Sequence, residues 1–141
     1  MHVTSHATVS VPIDTVWATL TDHVGMAGWG PGISVSLGRP GTPEPNGLGA
    51  VRQISTPGPG PDIVEEVVTF DAPHVFGYKA LSGTPFPGYS GEVRLASVEG
   101  GAGTRIDYTI GSTASFPLVK IPLAAIGQVL LRLLVRAAAR A

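Results

Sequence analysis

Residues 117–141 read PLVKIPLAAIGQVLLRLLVRAAARA, and this stretch decides the fold. From Pro122 onward only Gly127 disfavours a helix, and proline suits the first helical position because it lacks an amide proton. The pattern therefore predicts a helix from Pro122 to Arg140. Its polar residues recur every fourth position and form one narrow stripe, which comprises Gln128, Arg132, Arg136 and Arg140. The remaining surface is aliphatic and much wider than the roughly 100° apolar stripe of an ordinary surface helix. We therefore expect the helix to be covered on several sides, by a curved sheet, a partner subunit or a membrane surface.

The residues before this helix predict mainly strands. Residues 2–11 alternate between polar and apolar side chains, which is typical of a half-buried strand. Pro12 then begins a short helix that carries Ile13, Val16, Trp17 and Leu20 at helical spacing, and a second short helix follows at 23–27. Six further strands are predicted, at 33–38, 48–55, 62–70, 74–81, 89–98 and 104–112. Consecutive strands with short links pair antiparallel, and a large antiparallel sheet twists and curls. The predicted fold class is α+β, with a seven-stranded curved antiparallel sheet gripping the C-terminal helix and two short helices between strands 1 and 2.

Composition limits the classes of function. The 141 residues predict a single domain over 1–141, and a net charge of −1 with only 13% charged residues indicates no nucleic-acid partner. The chain has no cysteine, and His2 and His6 lie in a strand, where they stand roughly 13 Å apart, so no metal site is predicted. The glycines at 100, 101 and 103 form a hairpin turn and open no helix, so no phosphate loop and no cofactor are expected. The longest uncharged apolar run, 121–131, is far shorter than the ~20 residues of a membrane span. With no secretion signal at the N-terminus, we expect a cytoplasmic protein.

Three segments carry a resemblance to a known superfamily. They are ATVSVPIDTVWATLTD at 7–22, which is soon followed by Gly28-Trp29, EEVVTFDAPHVFGYKA at 65–80, and GEVRLASVEGGAGTRIDY at 91–108. In these segments the sequence resembles the START-like, or SRPBCC, superfamily. Within it, the chain is most similar to the small bacterial polyketide cyclase/dehydrase-type members. The resemblance implies a ligand cavity between the concave sheet and the C-terminal helix.

Side chains alternate between the two faces of a strand, and this parity predicts which residues form the walls of that cavity. Tyr78, Tyr89 and Tyr108 each share a face with apolar neighbours and are predicted to point inward. In strand 62–70 both faces are partly apolar, so parity leaves it open whether Glu66 points inward. Trp29 is placed at the mouth of the cavity, and the helix would contribute Ile126 and Leu130. Alternatively, the tyrosines are amphipathic core residues and Glu66 is solvated.

Three functions are compatible with these residues. The first is binding of a hydrophobic small molecule, such as a polyketide, a lipid or an aromatic compound, in the cavity. The second is an aromatase/cyclase or dehydratase, in which Glu66 and the phenols supply general acid/base groups for a poly-keto substrate. The third is an interaction protein whose apolar helix face docks a partner or a second copy of the chain as a homodimer.

Overall fold

A computed structural model describes all 141 residues and confirms the predicted α+β class. The chain begins with strand β1, His2–Val9, followed by helix α1, Ile13–Thr21, and a 3₁₀ helix, Val24–Trp29. Six strands follow in succession: β2 Ser34–Arg39, β3 Val51–Ser55, β4 Ile63–Asp71, β5 Val75–Ser82, β6 Ser90–Val98 and β7 Gly103–Gly111. Short 3₁₀ turns lie at Glu99–Gly101 and Pro117–Val119, and helix α2 runs over Lys120–Arg140.

The seven strands form one antiparallel sheet in the order β1-β7-β6-β5-β4-β3-β2. Each strand from β2 to β6 pairs with the next in sequence. β1 forms the other edge by pairing with β7, as Ser5 opposite Tyr108 illustrates. α2 packs mainly on β1 and β7, with further contacts to α1 and the 3₁₀ helix. It therefore covers one half of the sheet and leaves a space above β3, β4 and β5.

The aliphatic surface of α2 is covered less completely than its sequence predicts. Its fully buried residues lie along one line, formed by Leu123, Gly127, Leu131, Leu134 and Ala138. Ile121 and Val129 stay exposed, at 69% and 52%. By length and composition Pro117–Arg140 could cross a membrane, contrary to the estimate from its longest uncharged run. Core helices of soluble proteins meet the same criteria, and α2 packs along the sheet as such a helix does.

Candidate functional site

A cavity of about 440 Å³ lies between α2 and the part of the sheet that α2 leaves uncovered. Its walls are mostly apolar, with Ile54 of β3 and Ile63 of β4 facing Ile126, Leu130 and Leu133 of α2. Loop residues complete the rim, among them Pro31, Pro57, Pro85 and Phe86. The volume lies within the range of small-molecule sites, which are usually apolar with few polar groups.

The cavity explains why α2 carries more aliphatic residues than its contact with the sheet requires. One line of the helix packs on the sheet, a second line is polar and solvated, and a third lines the cavity. The third line comprises Ile126, Val129, Leu130 and Leu133, of which all but Val129 are half-buried. These side chains are aliphatic although they do not belong to the buried line of the helix.

A buried ion pair forms the polar end of the cavity. Arg52 of β3 and Glu65 of β4 are directly opposite each other in the sheet, and their side chains are only 4% and 6% exposed. Arg52 donates from Nε and Nη2 to the same oxygen, Glu65 Oε1, at 2.9 and 2.7 Å. Its guanidinium also lies over the ring of Tyr78, 4.8 Å from the centroid. Burial is the largest single influence and lowers the pKa of Arg52, but the charge of Glu65, the neighbouring phenols and the hydrogen bond to Glu65 together outweigh it, so the pKa is raised.

His23 supports Arg52 from behind the cavity. The imidazole is fully buried, and its Nδ1 accepts a hydrogen bond from Arg52 Nη1 at 3.2 Å. Nε2 therefore carries the proton and donates to the carbonyl oxygen of Asn46 at 2.8 Å. Burial, together with the positive charge of Arg52, lowers the pKa of His23 to about 4. The imidazole is consequently neutral at physiological pH and holds the guanidinium in a fixed orientation.

Three buried tyrosines adjoin the ion pair. The hydroxyls of Tyr78 and Tyr108 are hydrogen-bonded to each other at 2.8 Å. Burial raises the pKa of Tyr108 to about 12, and burial likewise raises the pKa values of Tyr78 and Tyr89. All three phenols therefore remain protonated at neutral pH and can act as hydrogen-bond donors. Tyr78 and Tyr89 line the cavity, whereas Tyr108 lies outside its lining and contacts Tyr78.

The structure brings four of the seven sequence-predicted residues to the cavity: Tyr78, Tyr89, Ile126 and Leu130. Tyr108 points inward as its parity predicts, but it is covered. Trp29 is buried beside a separate depression near Arg140 and does not border the cavity mouth. The ligand-binding role of these residues stays a prediction, and the structure fixes only their positions.

Glu66 points away from the cavity, which resolves the parity that the sequence left open. On the outer face of β4 it forms ion pairs with Arg39 at 3.0 Å and with Lys79 at 3.6 Å. The inward carboxylate is that of its neighbour, Glu65. One extra residue in β4, between Val67 and Thr69, breaks its strict alternation, so Phe70 packs inward against Trp17 although it has the same parity as the outward Glu66.

Sequence reasoning missed Arg52, Glu65 and His23 as site residues. A signal for Arg52 exists, because it shares strand parity with Ala50 and Ile54, and all three are buried. An inward arginine on one strand would in turn have favoured an inward carboxylate on the next. For His23 no sequence pattern exists, since its partners come from distant loop and strand positions. No group of three or more His, Asp or Glu side chains is arranged to hold a metal ion.

Fold and cavity together define a helix-grip protein: a seven-stranded sheet, a long helix across it, and an apolar hollow with one polar end. A family model described as "Polyketide cyclase / dehydrase and lipid transport" matches residues 1–141. The chain belongs to that family. No functionally curated protein matches it in sequence.

Solved structures with the same fold include a START superfamily protein from Mycobacterium smegmatis, at 12% identity and a TM-score of 0.79, covering 99% of this chain and 97% of that one. A protein from Nitrosospira multiformis is 16% identical with a TM-score of 0.76, covering 96% and 94%. A protein from Thermus thermophilus is 17% identical with a TM-score of 0.76, covering 99% and 98%. At these identities the likeness establishes the fold and nothing about the ligand.

Proposed function

We propose that this protein binds a hydrophobic small molecule, such as a polyketide, a lipid or an aromatic compound, in the cavity between the sheet and α2. The observation that carries the proposal is the third line of α2, where Ile126, Leu130 and Leu133 present half-buried aliphatic surface to a cavity of about 440 Å³. Covering such surface with an apolar ligand is favourable by roughly 25 cal/mol per Å² removed from water. The description of the matching family includes lipid transport and supports the same proposal.

A second candidate is an aromatase/cyclase or dehydratase, which the polar end of the cavity favours. Arg52 and Glu65 combine a cation and a carboxylate, and Tyr78 and Tyr89 add protonated phenols. Such groups can polarise a carbonyl and move a proton during enolisation of a poly-keto chain. This candidate transfers the acid/base role from Glu66 to Glu65. Turnover of a synthetic poly-keto mimic, lost in Glu65→Gln and kept in Glu66→Gln, would favour it over binding alone.

The binding proposal is tested by filling the cavity. Leu130→Trp places an indole among the lining residues, while Gln128→Trp puts the same group on the exposed face of α2. If the indole displaces about 60 Å² of ligand contact, the loss is about 1.5 kcal/mol, or roughly tenfold in affinity. The measurement is the fluorescence titration of each variant with the neutral dye Nile red. We expect weaker binding only in Leu130→Trp; equal affinities in both variants and the wild type would contradict the proposal.

Three further expectations accompany the binding function. We propose a cytoplasmic location, with which a chain without cysteine is compatible. We propose that residues 1–141 fold as one domain. We propose that a second copy of the chain is a partner, because α2 has exposed apolar residues, including Ile121 and Val129, through which a homodimer could form. Sedimentation analysis of the wild type and Ile121→Ser tests that last expectation directly, since a dimer formed through this face should dissociate in the variant.

A further inference from the structure

One oxygen of the buried ion pair has no partner in the protein. Arg52 directs both Nε and Nη2 to Glu65 Oε1, and no donor of the protein reaches Oε2 of the same carboxylate. No fully buried side-chain oxygen in the chain lacks a hydrogen-bond partner. Oε2 must therefore be reachable from an open space, and Glu65, itself 4% exposed, lines the cavity. A charged acceptor is thus presented to whatever occupies the cavity.

Resting on the proposed binding function, we propose that the cavity selects ligands that are neutral and carry a hydrogen-bond donor at their polar end. An alcohol or phenol on an apolar body is the class that fits. The hydroxyl would donate to Glu65 Oε2, and the apolar body would lie against Ile126, Leu130 and Leu133. Ligands that end in a carboxylate are disfavoured.

The charge balance around Arg52 explains why an anionic head is disfavoured. An isolated inward arginine would attract carboxylates, but here three of its five N–H groups are bound to Glu65 and His23. Its charge is matched by Glu65, so a carboxylate ligand would meet a free carboxylate oxygen with no unmatched cation in return. Like charges brought together in a poorly solvated site repel strongly.

Ligands with neither charge nor donor are disfavoured for a different reason. An apolar group or an ether that displaces water from Oε2 leaves the carboxylate oxygen without a hydrogen bond. An unsatisfied buried polar group is costly, and the cost is greater for a charged group than for a neutral one. A hydroxyl replaces the water's hydrogen bond, and its own oxygen can accept from a protonated phenol of the cavity wall: Tyr89, or Tyr78 when Tyr108 donates in the hydrogen bond between Tyr78 and Tyr108.

The test uses three fluorescent probes with one ring system and different heads: pyrenemethanol, its methyl ether and pyrenecarboxylate. Their dissociation constants for the wild-type protein are measured at pH 7, with Nile red as a neutral reference ligand. We expect the alcohol to bind at least about tenfold more tightly than either competitor, as for a hydrogen bond to a charged group. An ether or a carboxylate that binds as tightly as the alcohol would overturn the inference.

Two adjacent glutamates provide the variant and its control. Glu65→Gln removes the negative charge from the cavity and leaves Arg52 unmatched, so the preference should reverse in favour of pyrenecarboxylate. Glu66→Gln makes the same change on the outer face, where the partners are Arg39 and Lys79, and should keep the wild-type order. An unchanged order in a folded Glu65→Gln protein would contradict the inference.

The possible outcomes separate this inference from the binding proposal. If Glu65→Gln does not fold, as judged by circular dichroism, the three-probe series on the wild type decides alone. Binding of Nile red without any preference among the probes overturns the inference and leaves the binding proposal intact. Failure of Nile red and of every probe to bind overturns both.

Discussion

Breaking the buried ion pair from one side should destabilise the protein more than removing it altogether. In Arg52→Met, the carboxylate of Glu65, with a 6% exposed side chain, loses both of its charge-assisted hydrogen bonds. His23 Nδ1 also loses its donor. Removing one member of a buried pair typically costs about 3–5 kcal/mol. The free oxygen of Glu65 faces the cavity, where water can solvate part of the unpaired charge, so we expect a loss of about 3 kcal/mol, at the low end of that range.

The double variant Arg52→Met/Glu65→Leu leaves no unpaired charge and replaces both side chains with apolar ones of similar length. Such replacements are often neutral or stabilising, so most of the loss should be recovered. The assay is urea unfolding followed by circular dichroism, with the free energy of unfolding extrapolated to water. A loss of about 3 kcal/mol should also lower the melting temperature by about 10 °C in a chain of this size. If the single variant loses less than about 1 kcal/mol, or the double variant is no more stable than the single one, the two side chains do not form a buried, mutually dependent pair.

Two other changes give distinct outcomes. His23 has a pKa of about 4 in the folded protein and about 6.5 when unfolded, so its contribution lowers stability as the pH falls from 6.5 towards 4, by about 3 kcal/mol in full. Between pH 7 and pH 4.5, urea unfolding should show a larger loss of stability in the wild type than in His23→Gln, which lacks the titrating group. Equal losses in the two proteins would contradict the assignment. A methyl group at Gly91 would contact the ring of Tyr78, so Gly91→Ala should displace that ring, destabilise the protein by about 1–3 kcal/mol and weaken Nile red binding. Gly28→Ala is the matched control, because a methyl there meets nothing within 4 Å, and similar effects of both substitutions would refute the steric argument.

The architecture was predictable because its signals are repeated along the chain. Alternating polarity in residues 2–11 and 104–112 identifies strands that pair as β1 and β7, and turn residues separate the others at short intervals. The uninterrupted run after Pro122 likewise identifies α2. Each of these predictions depends on many residues, so an error at one position does not change the result.

The polar end of the cavity could not be predicted in the same way, because it depends on single positions. An inward or outward assignment in β4 requires unbroken alternation, and the shift between Val67 and Thr69 interrupts it. Phe70 and Glu66 have the same parity in the sequence, but Phe70 lies beyond this shift and packs inward against Trp17, whereas Glu66 points outward. The contact of Arg52 with His23 spans 29 residues of sequence, and no periodic pattern reports such a contact.

The position of the ion pair is an argument for a binding role. A buried pair of charges loses much of its solvation, and apolar residues of equal volume would usually stabilise the fold at least as well. Arg52 and Glu65 nevertheless lie on neighbouring strands in the part of the sheet that α2 leaves uncovered. A pair that served only stability would satisfy both carboxylate oxygens, yet both donors of Arg52 bind Oε1 and leave Oε2 to the cavity. Together with the aliphatic line of α2 opposite, this arrangement supports a site shaped for a ligand with an apolar body and a single polar end.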